Sequence, residues 1–208
     1  RQRLFTEAEV GRLRAMSGKL EAEGKSTATV ALGLRLLFAT GCRAGEICGL
    51  RWSHVDLEAG FMRWPESKPG FLQKPVTAEA RAPLKKANRI VGGDWVCPGS
   101  DPKKSLRVET LEAGFERAMK EAKVDARENA SLHLIRHWFA TRIYTDGTIP
   151  LPVQMAIVGH KSVATAMRYA HVDRAQVQRA AASAAKRRTA AVKAAGKSGK
   201  VVKMESAK

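Results

Sequence analysis

The sequence predicts a mainly α fold of the α+β class, a helical domain with one small antiparallel β-sheet set into it. Three observations carry that prediction. Thr27 to Ala39 is apolar nearly all round (Val30, Leu32, Leu34, Leu36, Leu37, Phe38), which is the pattern of a helix buried in the middle of a domain. Leu111, Phe115 and Met119 recur every fourth residue, the repeat of an amphipathic helix. Phe61-Met62-Arg63-Trp64-Pro65, a Pro69-Gly70 turn and Gln73 to Val76 read as two strands joined by a reversal of the chain.

In chain order, Phe5-Thr6-Glu7-Ala8-Glu9-Val10 is a capping-box start. Thr6 caps, Glu9 reaches back, and Phe5 staples onto Val10. A first helix therefore runs from Glu7 into the high teens. The buried helix ends at Thr40-Gly41, a glycine stop, and a short helix carries Ala44 to Leu50. The sheet follows, then a helix whose start is obscured by Pro83 in its interior. Helices are expected over Val108 to Ala122 and Leu132 to Tyr144, then two short ones over Pro150 to Val158 and Ser162 to Tyr169, separated by Gly159-His160. The last stretch, rich in alanine and lysine, is expected to be helical at first and frayed beyond Gly196. No internal repeat is visible.

The chain has 208 residues, 44% of them apolar, enough for a real core. Its formal net charge is +17. From Arg174 onward ten Lys and Arg stand against one Glu, so the tail supplies +9 and the body +8. Both parts suit a polyanionic partner such as nucleic acid. Cys42, Cys48 and Cys97 are odd in number and lack CxxC spacing, which supports neither a disulfide framework nor a zinc ribbon. Reduced thiols and a cytoplasmic location are expected, because no apolar run approaches a membrane span and the start lacks a signal-peptide core. The absence of an initial methionine suggests a fragment of a longer chain.

Two stretches hold side chains suited to chemistry. In His133-Leu134-Ile135-Arg136-His137, positions 133, 136 and 137 share one helical face. The histidines have metal-pair spacing, but a metalloprotease needs Glu where Leu134 stands. Taken alone, the stretch also reads as one core histidine and one surface arginine. In Thr40-Gly41-Cys42-Arg43-Ala44-Gly45-Glu46, Arg43 is either an ion-pair partner of Glu46 or part of an anion site at a helix N-terminus.

Read in order, Arg43 in ATGCRAGEICGL, Lys68 on the sheet turn, His133 and Arg136 in HLIRHWFAT, His160 in IVGHKS and Tyr169 in MRYAH resemble the tyrosine recombinase, or phage integrase, family. The match covers Phe5 to about Val172. The resemblance implies that Arg43 and Arg136 clamp a scissile phosphate, and that His133 is the HxxR histidine. It makes His160 the third-motif position, which is His or Trp in relatives, and Tyr169, nine residues on, the nucleophile. Lys68 is the lysine of the sheet turn, with Lys74 close enough to compete. His137 reads as a buried structural histidine, Glu46 as a brace for the arginine or histidine network, and Tyr144 as packing. The family pattern also implies a catalytic domain over residues 1–173, a basic helix and tail over 174–208, and a separate N-terminal DNA-clamp domain absent from this chain.

The chemistry suits these residue types. A phosphodiester under attack develops negative charge on its non-bridging oxygens, which planar guanidiniums meet with paired hydrogen bonds. A tyrosine hydroxyl, with a pKa near 10, needs cations or a base to act at neutral pH, and the leaving 5′ oxygen needs a proton, which a lysine supplies. No metal, cofactor or ATP is implied, because the 3′-phosphotyrosine keeps the energy of the broken bond. The expected function is therefore site-specific DNA recombination, for integration or excision of a phage or other mobile element. The expected partners are double-stranded DNA, three further copies in a synaptic tetramer (with a monomer in the absence of DNA), and accessory DNA-bending proteins, with no membrane. The alternatives are a type IB topoisomerase-like relaxing enzyme, a non-catalytic DNA-binding module and a His133/His137 metal protein. The resemblance also implies that residues 173 to about 188 form a helix that docks on a neighbouring subunit; the alternative reading of the basic tail is a solvated, disordered extension.

Overall fold

The computed structural model describes residues 4–66, 70–125, 131–169 and 174–198. The chain divides into two units, residues 1–170 and 171–208. In the first unit, helix α1 (Glu7–Ala22) opens on the expected capping box: Glu9 N–H donates to Thr6 Oγ1 at 3.3 Å and Thr6 N–H to Glu9 Oε2 at 2.8 Å. It runs about a turn further than expected, since Leu20 is buried and extends the apolar face. Phe5 and Val10 both enter the core, with Phe5 edge-on to Phe115.

Helix α2 (Ala28–Thr40), capped by Thr27, is the centre of the domain, and every residue from Val30 to Thr40 except Arg35 is buried. It ends at Gly41, which adopts φ 57°. A Cβ at Gly41 would lie 2.2 Å from Cδ1 of Phe139, so both the backbone and the packing require glycine. Gly41→Ala is expected to destabilise the domain by about 1–3 kcal/mol; an unchanged urea midpoint would contradict this close approach.

Helix α3 (Ala44–Cys48) follows at once, then a 3-10 turn and a three-stranded antiparallel sheet ordered β1 (Val55–Asp56), β2 (Phe61–Trp64), β3 (Leu72–Pro75). The two-residue strand β1 was not foreseen; it exists because Val55 and Asp56 pair with Met62 and Phe61. In β2 and β3, Met62, Trp64, Leu72 and Lys74 face inward, and Met62 lies opposite Lys74. Helix α4 (Ala78–Lys86), capped by Thr77, accommodates Pro83 inside it. Helices α5 (Val108–Glu121) and α6 (Leu132–Thr145) match the expected spans, and α5 buries Leu111, Phe115 and Met119.

Helix α7 (Leu151–Val158) ends at Gly159 with φ 77°, and α8 (Val163–Met167) is shorter than expected, leaving Tyr169 in the turn beyond it. Buried Gln154 ties α7 to the end of α6 by donating from Nε2 to the carbonyls of Ile143 and Asp146, each at 2.9 Å. A second small cluster of Ala140, Tyr144, Val158 and Ala166, flanked by Phe139, Met155 and Tyr169, packs these helices together. The second unit contains helix α9 (Arg174–Ser198), which continues past the expected fraying point at Gly196. Among the described residues no helix is long and apolar enough to cross a membrane.

Candidate active site

Arg43 sits at the N-cap of α3 in an extended conformation. Its backbone N–H donates to Glu46 Oε2 at 2.9 Å and its Nη1 to Glu46 Oε1 at 2.7 Å. The two readings of this stretch are thus compatible: the ion pair forms, and the guanidinium stays about half exposed. Glu46 is buried, and its carbonyl accepts a hydrogen bond from Trp64 Nε1 at 2.8 Å, which anchors α3 to the sheet. On its other side stands Lys74, 1% exposed, with Nζ 3.6 Å from Glu46 Oε2. Burial pushes the Glu46 carboxyl up, but Lys74, the two bonds from Arg43 and the Arg136 charge outweigh it and hold it below the usual carboxylate range.

Arg136 is 2% exposed. This corrects the reading of HxxRH, taken alone, as a surface arginine. Its Nη1 donates to the carbonyls of Gly41 at 2.7 Å and Val158 at 3.0 Å, so one cation closes the C-terminal ends of α2 and α7, where helix dipoles favour positive charge. Its Nη2 is buried without a hydrogen-bond partner among the described residues. Gly159 makes the junction possible, since a Cβ there would lie 2.7 Å from Lys74 Cε.

His137 departs from expectation. It is half-buried rather than buried, and its Nδ1 lies 3.0 Å from the Tyr169 hydroxyl. His133, one turn earlier, is exposed and stands edge-on to His137 with ring centroids 4.5 Å apart. Tyr144, read as packing, does pack, but its hydroxyl also lies 3.1 Å from His160 Nδ1. The rings of Tyr144 and His160 lie 5.8 and 5.6 Å from that of Tyr169. The signal for both missed partners was helical spacing: Tyr144 follows His137 by seven residues, two turns along the same face. Lys68 lies outside the described residues. Among the described residues no group of three or more His, Cys, Asp or Glu side chains gathers as metal ligands.

The electrostatics follow from burial among cations. Burial pushes the Tyr169 phenol up, against the lowering pull of Arg136, Arg168 and Arg43, so the hydroxyl is protonated at neutral pH. Partial desolvation beside neighbouring groups also lowers His133, exposed as it is, and the half-buried His137, with Arg136 adding to it in both. His160 is pushed down to about 4 by burial, then Arg136, Arg43 and Lys74. The unfolded chain protonates His160 near 6.5 while the folded chain refuses the proton until about 4. The folded value is the lower one, so stability is full above about pH 6.5 and falls as pH drops toward 4. We expect a lower urea midpoint at about pH 5 than at neutral pH, with a shallower slope in His160→Gln; an equal midpoint would contradict the lowered pKa of the half-buried His160.

Residues 3–176 match the model of the phage integrase family. Tyrosine recombinase XerD of Pseudomonas aeruginosa is 32% identical over 152 residues, 70% of this chain and 50% of that protein. A probable integrase/recombinase of Methanocaldococcus jannaschii is 27% identical over 160 residues, 73% of this chain and 48% of that protein. This chain spans about half or less of the length of such relatives. Among solved structures, XerH site-specific recombinase bound to its difH substrate aligns with a TM-score of 0.70 at 23% identity, over 86% of this chain and 53% of that one. A lambda integrase dimer bound to a core site aligns at 0.62 and 24% identity, over 82% of this chain and 48% of that one. These likenesses establish the fold, and the family match over most of the length establishes the lineage: the chain belongs to the phage integrase family.

Proposed function

We propose that this chain is the catalytic part of a tyrosine-type site-specific DNA recombinase, with residues 1–173 carrying the chemistry and the basic residues 174–208 serving assembly with neighbouring copies on DNA. The observation that supports this most directly is the gathering around one tyrosine. Tyr169 meets the His137 imidazole at hydrogen-bond distance, lies tilted beside the His160 ring, and feels the charges of Arg136 and Arg43. The DNA-bound states of relatives, a XerH complex with its substrate and a lambda integrase tetramer on a Holliday junction, agree with double-stranded DNA as partner and a tetramer as the working assembly.

In this mechanism Arg43 and the unpartnered Nη2 of Arg136 bind the non-bridging oxygens of the scissile phosphate. The Tyr169 oxygen attacks phosphorus and its proton passes to His137 Nδ1, an unprotonated imidazole at neutral pH. The bond to the 5′ oxygen breaks, that oxygen takes a proton from Lys68, and a 3′-phosphotyrosine remains. A second 5′ hydroxyl then gives its proton to Lys68 and attacks the phosphotyrosine, Tyr169 leaves and regains its proton from His137, and the strands are exchanged without metal or ATP. Lys74, sealed behind Glu46, is a charge partner and not the acid. His133 and His160 add donors to the phosphate. The enzyme acts in the cytoplasm, on the attachment sites of a phage or other mobile element.

The test is incubation with nicked suicide substrates carrying candidate attachment sites, followed by denaturing electrophoresis. A denaturant-resistant protein–DNA adduct is expected. Confirmed DNA binding with no adduct would reduce the chain to a binding module. Supercoil relaxation without joining of two sites would make it a relaxing enzyme instead.

A further inference from the structure

Tyr144 is 6% exposed and lies in the small cluster that packs α6 against α7 and α8. Its ring is stacked on His160, 5.7 Å between centroids at an interplanar angle of 15°, and its hydroxyl reaches Nδ1 at 3.1 Å. A buried hydroxyl that cannot donate its proton costs free energy. The one partner described for this hydroxyl is His160 Nδ1. If Nδ1 carried a hydrogen, the O–H of Tyr144 would have no acceptor among the described residues. Nδ1 must therefore be the acceptor, and in a neutral imidazole the proton then sits on Nε2.

We propose that Tyr144 is a positioning residue whose hydroxyl, by donating to Nδ1, holds His160 in one ring orientation as the Nε2–H tautomer, so that Nε2–H is the donor offered to a phosphoryl oxygen. The logic is that of a carboxylate or carbonyl behind a metal-bound histidine, where the partner of one ring nitrogen decides what the other can do. The surrounding charges agree. Burial raises Tyr144 to about 12, so it remains a donor, and burial with Arg136 and Arg43 keeps His160 neutral. The hydrogen bond and the stacked ring also block a flip that would exchange the two nitrogens. The phosphoryl part of this inference rests on the function proposed above, whereas the tautomer part does not.

The experiment is long-range nitrogen–proton correlation spectroscopy of the whole chain with 15N-labelled histidine, in which His160 is one of five histidines and is assigned by the loss of its signals in His160→Gln. At neutral pH the wild type should show His160 as a single Nε2–H tautomer, with the Nδ1 resonance displaced by an accepted hydrogen bond. An Nδ1–H tautomer, or a rapidly exchanging mixture, overturns the proposal. In Tyr144→Phe, which keeps the ring and its stacking, that displacement should vanish and exchange between tautomers should appear; unchanged His160 signals overturn it equally. Single-turnover adduct formation by Tyr144→Phe should fall roughly three- to tenfold, the scale of one hydrogen bond, with DNA affinity unchanged. An unchanged rate removes the positioning role. Absence of any adduct from the wild type would count against the recombinase reading alone, because the nitrogen spectra decide the tautomer without DNA.

Discussion

Tyr169→Phe should lose covalent adduct formation entirely, by more than about 10⁴-fold, as expected for removal of a nucleophile, while folding and DNA binding remain close to those of the wild type. The ring packs beside Tyr144 and His160 in the second cluster, and phenylalanine preserves that packing. The lost hydroxyl leaves His137 Nδ1 without its partner, but His137 is only half-buried and water can replace the bond, so the stability change should be within about 0.5 kcal/mol. Suicide-substrate trapping, read beside a urea melt and a DNA-binding titration, separates these effects. An adduct that persists in the variant would transfer the nucleophile to Tyr144, the chain's only other tyrosine.

The second large effect concerns the two arginines, which the motif treats alike and the structure does not. Arg136→Lys keeps the charge but loses the planar fork, and one ammonium cannot easily serve the Gly41 and Val158 carbonyls together while still offering a donor to the substrate. We expect adduct formation to fall by about 10²–10³-fold and stability to fall by about 1–3 kcal/mol, because a buried carbonyl loses its partner. Arg43→Lys should slow the reaction comparably yet change stability by less than about 1 kcal/mol, since Arg43 is half exposed and its ion pair with Glu46 is partly solvated. Matching urea midpoints for the two variants would refute the structural half of the Arg136 role; matching wild-type rates would refute the phosphate half.

Several features were legible because they depend on short stretches of chain. The Thr6 cap, the Gly41 stop and the apolar surface of α2 each follow from neighbours within one or two helical turns, and so do the spans of α5 and α6. The motif residues could be proposed from sequence for a related reason: the proposal rests on their types and order, wherever the chain takes them. By contrast, β1 has two residues and no pattern of its own. It is a strand only because β2 passes beside it.

Sequence by itself therefore determined the class of fold, most of the helices, and the residue types from which a phosphate site is proposed. Tertiary structure alone decided which of them meet. Arg136 is buried because the ends of α2 and α7, far apart in the chain, arrive with two carbonyls to be satisfied. Lys74 is buried because Glu46 stands behind the sheet. His137 rather than His133 reaches the Tyr169 hydroxyl, and Tyr144 reaches His160, because the turn after α8 and the Gly159 junction fold back onto one face of α6. Hydrogen bonds and ion pairs act over about 3–4 Å, and separation along the chain says little about which groups come that close.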